Sequence, residues 1–133
     1  MNTYCVIFFL AAASLNGIES ISEAEKAMMF ALHQKCLPIS GATDEMANQA
    51  MTGEFPEDPA FKEHVYCMSK GFGFFNENGE VNTVAVEAEL NKRIPDPDLR
   101  EEVKAKCLVM KETPQETAFQ TAKCMFAYKD QLM

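Results

Sequence analysis

Four cysteines, spread along the chain after a charge-free amino-terminal stretch, constrain its fold more than any other feature. They are Cys36, Cys67, Cys107 and Cys124. An even number of cysteines in a secreted chain predicts disulfide bonds, here two, and four cysteines allow three different pairings. Two bridges in a chain of 133 residues are far fewer than in scaffolds that disulfides hold together alone. We therefore expect them to reinforce an ordinary apolar core within one domain.

Residues 1–17, MNTYCVIFFLAAASLNG, have the features of a secretory signal peptide. They carry no charged side chain, and their apolar core from Val6 to Ala13 is too short to cross a bilayer as a helix. We expect cleavage between residues 17 and 20, which would remove a fifth cysteine, Cys5. Residues 18–133 are then predicted to form a single secreted, extracellular domain with no segment apolar enough to span a membrane.

The charge balance argues against nucleic acid as a partner. Acidic residues outnumber basic ones by 20 to 12, and the net charge is −8. Such a surface repels both nucleic acid and anionic lipid, and no basic stripe interrupts it.

The hydrophobic periodicity is helical nearly throughout and predicts an all-α fold, a compact bundle of about six short helices. Ser22 and Glu25 form a capping box at the beginning of the first predicted helix. Three later predicted helices have a proline in their first turn. The predicted helices begin near Ser22, Thr43, Asp58, Val81, Asp96 and Thr113. The inward face of the first helix is predicted from its apolar stripe of Ala24, Ala27, Met28, Ala31, Leu32 and Cys36.

The last predicted helix is apolar most of the way round. One face carries Ala118, Phe119, Ala122, Met125 and Phe126, and the other is also largely apolar. A helix of this kind is usually buried on several sides. We expect it to run through the middle of the bundle.

The chain lacks the residue sets that common enzyme chemistries need. It has only two histidines, His33 and His64. No Ser–His–acid set, Cys–His set or phosphate-binding glycine loop is recognisable. We expect neither catalysis nor a cofactor. The histidines could confer pH sensitivity, or they could be ordinary structural histidines.

Two patterns deserve comparison with metal sites. His33-x-x-Cys36 and His64-x-x-Cys67 could together offer zinc two imidazoles and two thiolates, whereas an oxidising compartment favours a disulfide between the same cysteines. The stretch GFFNENGEVN places asparagines and Gly79 at calcium-loop positions, but its first and last ligand positions would be apolar. We expect no metal and interpret NENG as a tight turn.

Methionines fall mainly on stripes that the periodicity predicts to face inward. Because methionine fills irregular gaps and also lines adaptable binding surfaces, this pattern fits either an ordinary core or a deformable apolar pocket. The residues are Met28, Met29, Met46, Met51, Met68, Met110 and Met125.

The spacing Cys36-x30-Cys67-x39-Cys107-x16-Cys124 resembles that of the insect odorant-binding proteins, in the branch that lacks the second and fifth of six cysteines. The segments GEFPEDPAFKEHVYC, GFGFFNENGEVN and TPQETAFQTAKC resemble family segments in the expected order. The resemblance implies the pairings Cys36–Cys67 and Cys107–Cys124, and it places NENG between the third and fourth helices.

The resemblance also points to a pair of residues at the positions of the missing cysteines. These are Glu63 and Gln115. Because bridged Cα atoms lie only about 4.4–6.8 Å apart, the two side chains should be close enough to hydrogen-bond. We expect this contact to replace the covalent connection.

The function that the resemblance implies is that of an extracellular carrier, which encloses a small hydrophobic molecule in an internal apolar pocket and transports it through aqueous fluid. Odorants, pheromones or fatty-acid-like molecules are the implied ligands, with a membrane receptor downstream and a monomer or weak dimer as the working form. The alternative is a secreted sequestering protein of venom or saliva with the same fold. The segment after Cys124 could close the pocket or be a frayed terminus. The predicted ligand-binding residues are Met28, Met29, Leu32, Met51, Phe55, Val65, Val86, Leu90, Ala118, Phe119 and Met125.

Overall fold

The computed structural model describes residues 22–131, so the predicted signal peptide and the first residues of the predicted domain lie outside the described part. Within it, six α-helices and a short 3-10 turn follow one another, and the only β-type pairing is an isolated bridge. The six-helix, all-α prediction is confirmed. The helices are α1 Glu23–Ser40, α2 Asp44–Met51, α3 Pro59–Gly71, α4 Thr83–Arg93, α5 Pro97–Cys107 and α6 Pro114–Ala127, with the 3-10 turn at Lys129–Gln131.

The helices begin where the capping residues predict. The Ser22 hydroxyl accepts a hydrogen bond from the Glu25 backbone N–H at 3.1 Å, and the Glu25 carboxylate accepts one from the Ser22 N–H at 3.1 Å. Prolines occupy the first turn of α3, α5 and α6. A proline there loses nothing, because that N–H has no partner within the helix.

The predicted inward face of α1 is wrong for most of its residues. Ala24, Ala27, Met28 and Ala31 are exposed. The buried face carries Met29, His33 and Cys36 instead. A helix with apolar residues on two sides does not reveal by periodicity which side the core covers. Here the covered side includes a histidine, whose ring finds polar partners inside the protein.

Helix α6 packs against both α3 and α5 and also borders the cavity described below, as expected for a helix that runs through the bundle. Its Phe119 is fully buried. Phe55 and Phe61 meet the Phe119 ring edge to face, with centroids 6.1 and 6.2 Å away. This arrangement of aromatic rings is the favourable one, and it fixes the middle of the core.

Both predicted disulfides are present. Cys36–Cys67 joins α1 to α3 across a Cα–Cα distance of 5.9 Å, and Cys107–Cys124 joins α5 to α6 across 5.4 Å. The zinc alternative is wrong, because the two thiols that it requires are bonded to each other.

The NENG stretch is a tight turn between α3 and α4, as predicted. The Asn76 side-chain carbonyl accepts hydrogen bonds from the backbone N–H groups of Asn78 and Glu80, at 2.8 and 3.0 Å. Gly79 adopts φ +82°, a left-handed conformation that glycine tolerates best. On either side of the turn, Phe75 and Val81 form the isolated bridge.

Candidate ligand-binding cavity

An apolar cavity of about 310 Å³ lies between α4 and α6. The helix pairs α1–α3, α3–α6 and α5–α6 pack closely, whereas α4 makes few direct contacts with other helices and borders the cavity instead. Met110 belongs to the wall and is 60% exposed, so the cavity reaches the protein surface there. The apolar wall consists of Phe74, Phe75, Val81, Val86, Leu90, Ile94, Leu108, Met110, Ala118, Ala122 and Met125.

The two helical walls follow from sequence spacing. On α4, Val86 and Leu90 are four residues apart and therefore share one face. On α6, Ala118 and Ala122 repeat the same spacing, and their small side chains leave space that larger residues would fill. The open volume thus arises where a helix that packs loosely faces a helix with short side chains.

Four residues with hydroxyl groups line the cavity, Ser69, Thr83, Thr117 and Thr121, and those on α3 and α6 differ in their hydrogen bonds. The Thr117 hydroxyl accepts from the Lys111 backbone N–H at 2.8 Å, and the Thr121 hydroxyl donates to the Cys107 carbonyl at 3.0 Å. The Ser69 side chain is 7% exposed, and its hydroxyl makes no hydrogen bond within residues 22–131. A buried hydroxyl without a partner is unfavourable, by about 1–3 kcal/mol. A polar group inside the cavity could therefore stabilise the Ser69 hydroxyl by hydrogen-bonding to it.

Among residues 22–131, charged groups enter the wall only from α4. They are Glu87, Glu89 and Arg93. Lys104 pairs with the Glu87 carboxylate at 2.8 Å, and Arg93 Nε donates to Glu89 Oε2 at 2.6 Å. Both carboxylates are thus matched by a cation on the protein. The combination of an apolar wall, a few hydroxyls and paired charges suits the burial of a small apolar molecule.

The structure brings four of the predicted ligand-binding residues together in this wall, namely Val86, Leu90, Ala118 and Met125. The others lie elsewhere. Met29, Phe55, Val65 and Phe119 are buried in the core outside the cavity wall. Leu32 borders a surface groove beside the Cys36–Cys67 bridge, Met51 is half-buried away from the wall, and Met28 is 47% exposed. Ligand contact by any of these residues stays a prediction.

Several wall residues are not among the predicted ligand-binding residues, although the periodicity places Met110 and Ala122 on inward-facing stripes. Phe74, Phe75 and Leu108 lie in connecting segments, where periodicity carries no information. Met110, which the periodicity places on an inward stripe, lies beyond the end of α5 and still reaches the wall. The helical period could have identified Ile94 and Ala122 as wall residues, because each lies four residues beyond a predicted wall residue, Leu90 or Ala118.

The expected contact between Glu63 and Gln115 is present. Gln115 Nε2 donates a hydrogen bond to Glu63 Oε1 at 3.0 Å, which joins α3 to α6. The neighbouring residues make a second connection between the same helices, a Lys62–Glu116 ion pair at 2.8 Å.

The two histidines form a buried polar cluster away from the cavity wall. His33 Nδ1 lies 3.0 Å from His64 Nε2, and His33 Nε2 lies 2.7 Å from Asp44 Oδ1. The other His64 nitrogen lies 3.2 Å from the Ser40 hydroxyl. Burial above all, and then the charge of neighbouring His33, lowers the pKa of His64 to about 4. The cluster joins α1, α2 and α3 through polar groups that satisfy one another.

From Phe126 to Gln131, the carboxyl-terminal segment does not line the cavity. The Tyr128 hydroxyl donates to Glu102 Oε2 at 2.9 Å, which attaches this segment to α5. Leu132 and Met133, the tip of the predicted lid, lie outside the described residues. Within the described helices, none is long and apolar enough to cross a membrane.

Comparison with known proteins agrees with this architecture. Residues 19–128 match the model of the PBP/GOBP family. The chain is 26% identical to the B1 protein of Tenebrio molitor over 86% of its own length and 88% of that protein. It is also 26% identical to the B2 protein of the same beetle, over 86% of its own length and 90% of that protein. No solved structure matches significantly. With its two bridges, six helices and nearly full-length match, the chain belongs to the PBP/GOBP family of insect odorant-binding-like proteins.

Proposed function

We propose that this protein is an extracellular carrier that binds small hydrophobic molecules in the cavity between α4 and α6 and transports them through aqueous fluid. The observation that carries the proposal is the cavity itself, an almost wholly apolar space that reaches the surface. Members of the PBP/GOBP family are binding proteins. Delivery to a membrane receptor, and a monomeric or weakly dimeric form, belong to the same proposal.

The cavity volume sets the size of the ligand. Ligand pockets in proteins typically enclose about 300–1,000 Å³, so a volume of about 310 Å³ is at the small end. Since a water-sized group occupies roughly 30 Å³, the cavity suits molecules of about ten non-hydrogen atoms. Binding energy would come mainly from apolar burial, at about 25 cal/mol per Å².

Secretion is supported by the cysteine chemistry. Both described disulfides connect separate helices, and such bridges persist in oxidising compartments. The family consists of secreted proteins. A signal peptide at residues 1–17 accounts for export under this proposal.

The test is uptake of 1-aminonaphthalene, a neutral fluorescent probe of suitable size, by the oxidised protein. A matched pair of variants on α4 locates the site. Val86→Phe fills the cavity from its wall, whereas Val84→Phe adds the same ring at a position that is 78% exposed and outside the wall. We expect wild type and Val84→Phe to bind the probe with micromolar affinity, and Val86→Phe to bind at least tenfold more weakly.

Two results would overturn the proposal. Wild-type protein that is folded, by circular dichroism and cooperative unfolding, but takes up no probe would show that the cavity is not a binding site. Equal weakening by both valine substitutions would place the probe elsewhere on the molecule.

A further inference from the structure

Arg93 is the only cation among the residues that line the cavity in the described part of the chain. It ends α4, and its side chain is 12% exposed. Its Nε donates to Glu89 Oε2 at 2.6 Å, the one hydrogen bond that its guanidinium makes within residues 22–131. The two Nη groups therefore have no protein acceptor there.

A guanidinium group in this state is an incomplete binding site. It carries five N–H donors in a fixed plane, and the two Nη groups can hold both oxygens of a carboxylate. Donors in a largely apolar wall are unfavourable unless an acceptor satisfies them. Water can do so while the cavity is empty, but a ligand that displaces this water must supply an acceptor of its own.

The surrounding charges leave Arg93 available for this role. Lys104 holds the Glu87 carboxylate at 2.8 Å, and Glu89 contacts only the Nε edge of Arg93. The next cation along the helix, Lys92, pairs with Glu25 at 3.1 Å and does not line the cavity. A ligand carboxylate would therefore meet one partly satisfied guanidinium and two wall carboxylates that already have cationic partners. A third carboxylate, Glu25, interacts electrostatically with Arg93 but is paired with Lys92 and does not line the cavity.

We propose that the cavity takes a small amphiphile with a carboxylate head group, which the Nη groups of Arg93 bind while the apolar chain lies against α4 and α6. This inference rests on the proposed carrier function and narrows its ligand class to short fatty-acid-like molecules. Octanoate, with about ten non-hydrogen atoms, matches the cavity in size.

The experiment compares three competitors of equal chain length for the bound 1-aminonaphthalene at pH 7.5. Octanoate carries the carboxylate, while methyl octanoate and 1-octanol have the same chain without its charge. In wild type we expect octanoate to displace the probe roughly tenfold better than methyl octanoate, because the ester cannot make the charge-assisted hydrogen bonds that a carboxylate makes to the Nη groups. Arg93→Gln should remove this preference and leave 1-octanol unchanged. Lys92→Gln, with the same change in net charge outside the wall, should retain the preference.

The outcomes separate the inference from the carrier proposal. Probe uptake without a preference for octanoate in wild type overturns the inference and leaves the carrier intact. A loss of preference in Lys92→Gln equal to that in Arg93→Gln overturns it too, because long-range charge would then explain the selectivity. Absence of probe uptake overturns both. If Arg93→Gln does not fold, Arg93→Lys is the second variant, because it keeps the positive charge and removes the planar guanidinium. It should lose most of the preference for octanoate. Full retention of that preference in Arg93→Lys would count against the inference.

Discussion

Gln115 Nε2 donates a hydrogen bond to Glu63 Oε1 at 3.0 Å and so joins α6 to α3 across a sequence separation of 52 residues. These residues occupy the positions at which six-cysteine relatives carry a bridge, according to the resemblance in the sequence. The hydrogen bond connects the same two helices without a covalent bond. The Lys62–Glu116 pair lies beside it, so polar contacts join α3 and α6 at this point.

The double substitution Glu63→Cys/Gln115→Cys should form a third disulfide. In the chain-entropy model, closing a loop of this length stabilises the folded state by about 4 kcal/mol, and strain usually lowers the gain. Thiol titration should find no free cysteine, and the urea midpoint should rise relative to the wild type. The double variant with Ser in both positions is the control for loss of the hydrogen bond. Two persistently free thiols in the folded protein would mean that the helices are too far apart for a bridge.

The turn after α3 offers a second prediction, because Gly79 is both left-handed and tightly packed. A Cβ at Gly79 would lie 2.9 Å from Pro114 Cγ, the first residue of α6. Gly79→Ala should therefore combine a backbone penalty of about 1–2 kcal/mol with a steric clash against a rigid ring. Urea titration of Gly79→Ala and wild type gives the difference in free energy of unfolding, which is the sum of the backbone penalty and the clash.

Gly73 supplies the matched control for this turn. It also has a positive φ, +88°, but a Cβ there would meet no atom within 4 Å. Gly73→Ala should cost only the backbone penalty. Equal destabilisation by the two alanines would show that the turn does not press against α6 in solution.

The sequence predicts the helices better than it predicts their faces. Capping boxes and first-turn prolines act locally, so the beginnings of the helices follow from neighbouring residues alone. The orientation of α1 depends on long-range partners: His33 is buried because His64 and Asp44 meet its ring. Met28, on the more regular apolar stripe, stays exposed. No periodicity argument contains that information.

The sequence predicts residues of the cavity wall only where the wall belongs to regular helices. Val86 and Leu90 follow the period of α4, whereas Phe74 and Leu108 reach the wall from connecting segments. The space itself exists because α4 packs loosely against other helices, and helix spacing is a tertiary property. Ser69 and Thr117 are polar residues at helical core positions, and a hydrophobicity pattern counts them as outward-facing.

The buried histidine pair predicts that acid destabilises the protein within a defined pH range. The pKa of His64 is about 4 in the folded protein and about 6.5 in an unfolded chain. Between these values the unfolded state binds more protons, so stability is fully present above about pH 6.5 and falls toward pH 4. We expect the free energy of unfolding to drop by about 1.4 kcal/mol at pH 5.5 and by roughly 3 kcal/mol in total. Urea titrations at several pH values between 7.5 and 4 measure this drop in the free energy of unfolding.

His64→Gln separates this effect from the titration of carboxylates. The variant lacks the titrating group, so its stability should change much less between pH 6.5 and pH 5. Burial tends to raise the pKa of Glu25, but hydrogen bonds from the Ser22 backbone and Lys92 together outweigh it and lower that pKa. Protonation of Glu25 therefore destabilises the protein only at lower pH. An equal slope in wild type and His64→Gln above pH 5 would contradict the assignment to His64.

The last prediction contrasts two hydroxyls of the cavity wall that are almost equally buried but differ in their partners. The Thr117 hydroxyl accepts from the Lys111 N–H at 2.8 Å and thereby holds the segment between α5 and α6. Thr117→Val keeps the shape and removes the acceptor, so the empty protein should lose about 1 kcal/mol of stability. Differential scanning calorimetry of the ligand-free protein would register a lower Tm.

Ser69→Ala should stabilise the empty protein, in contrast to Thr117→Val. The Ser69 hydroxyl has no hydrogen-bond partner within residues 22–131, so its removal relieves a buried polar group while also raising helix propensity by roughly 0.5 kcal/mol. We expect the empty protein to gain about 1–2 kcal/mol. A gain no larger than the propensity difference would show that the hydroxyl is already satisfied, for instance by water.

If the gain in stability is realised, Ser69→Ala should also bind ligands that carry an oxygen within the chain more weakly than wild type does, and hydrocarbon ligands equally well. Ser69 would then be a residue that gives up stability in the empty protein to orient what the cavity holds.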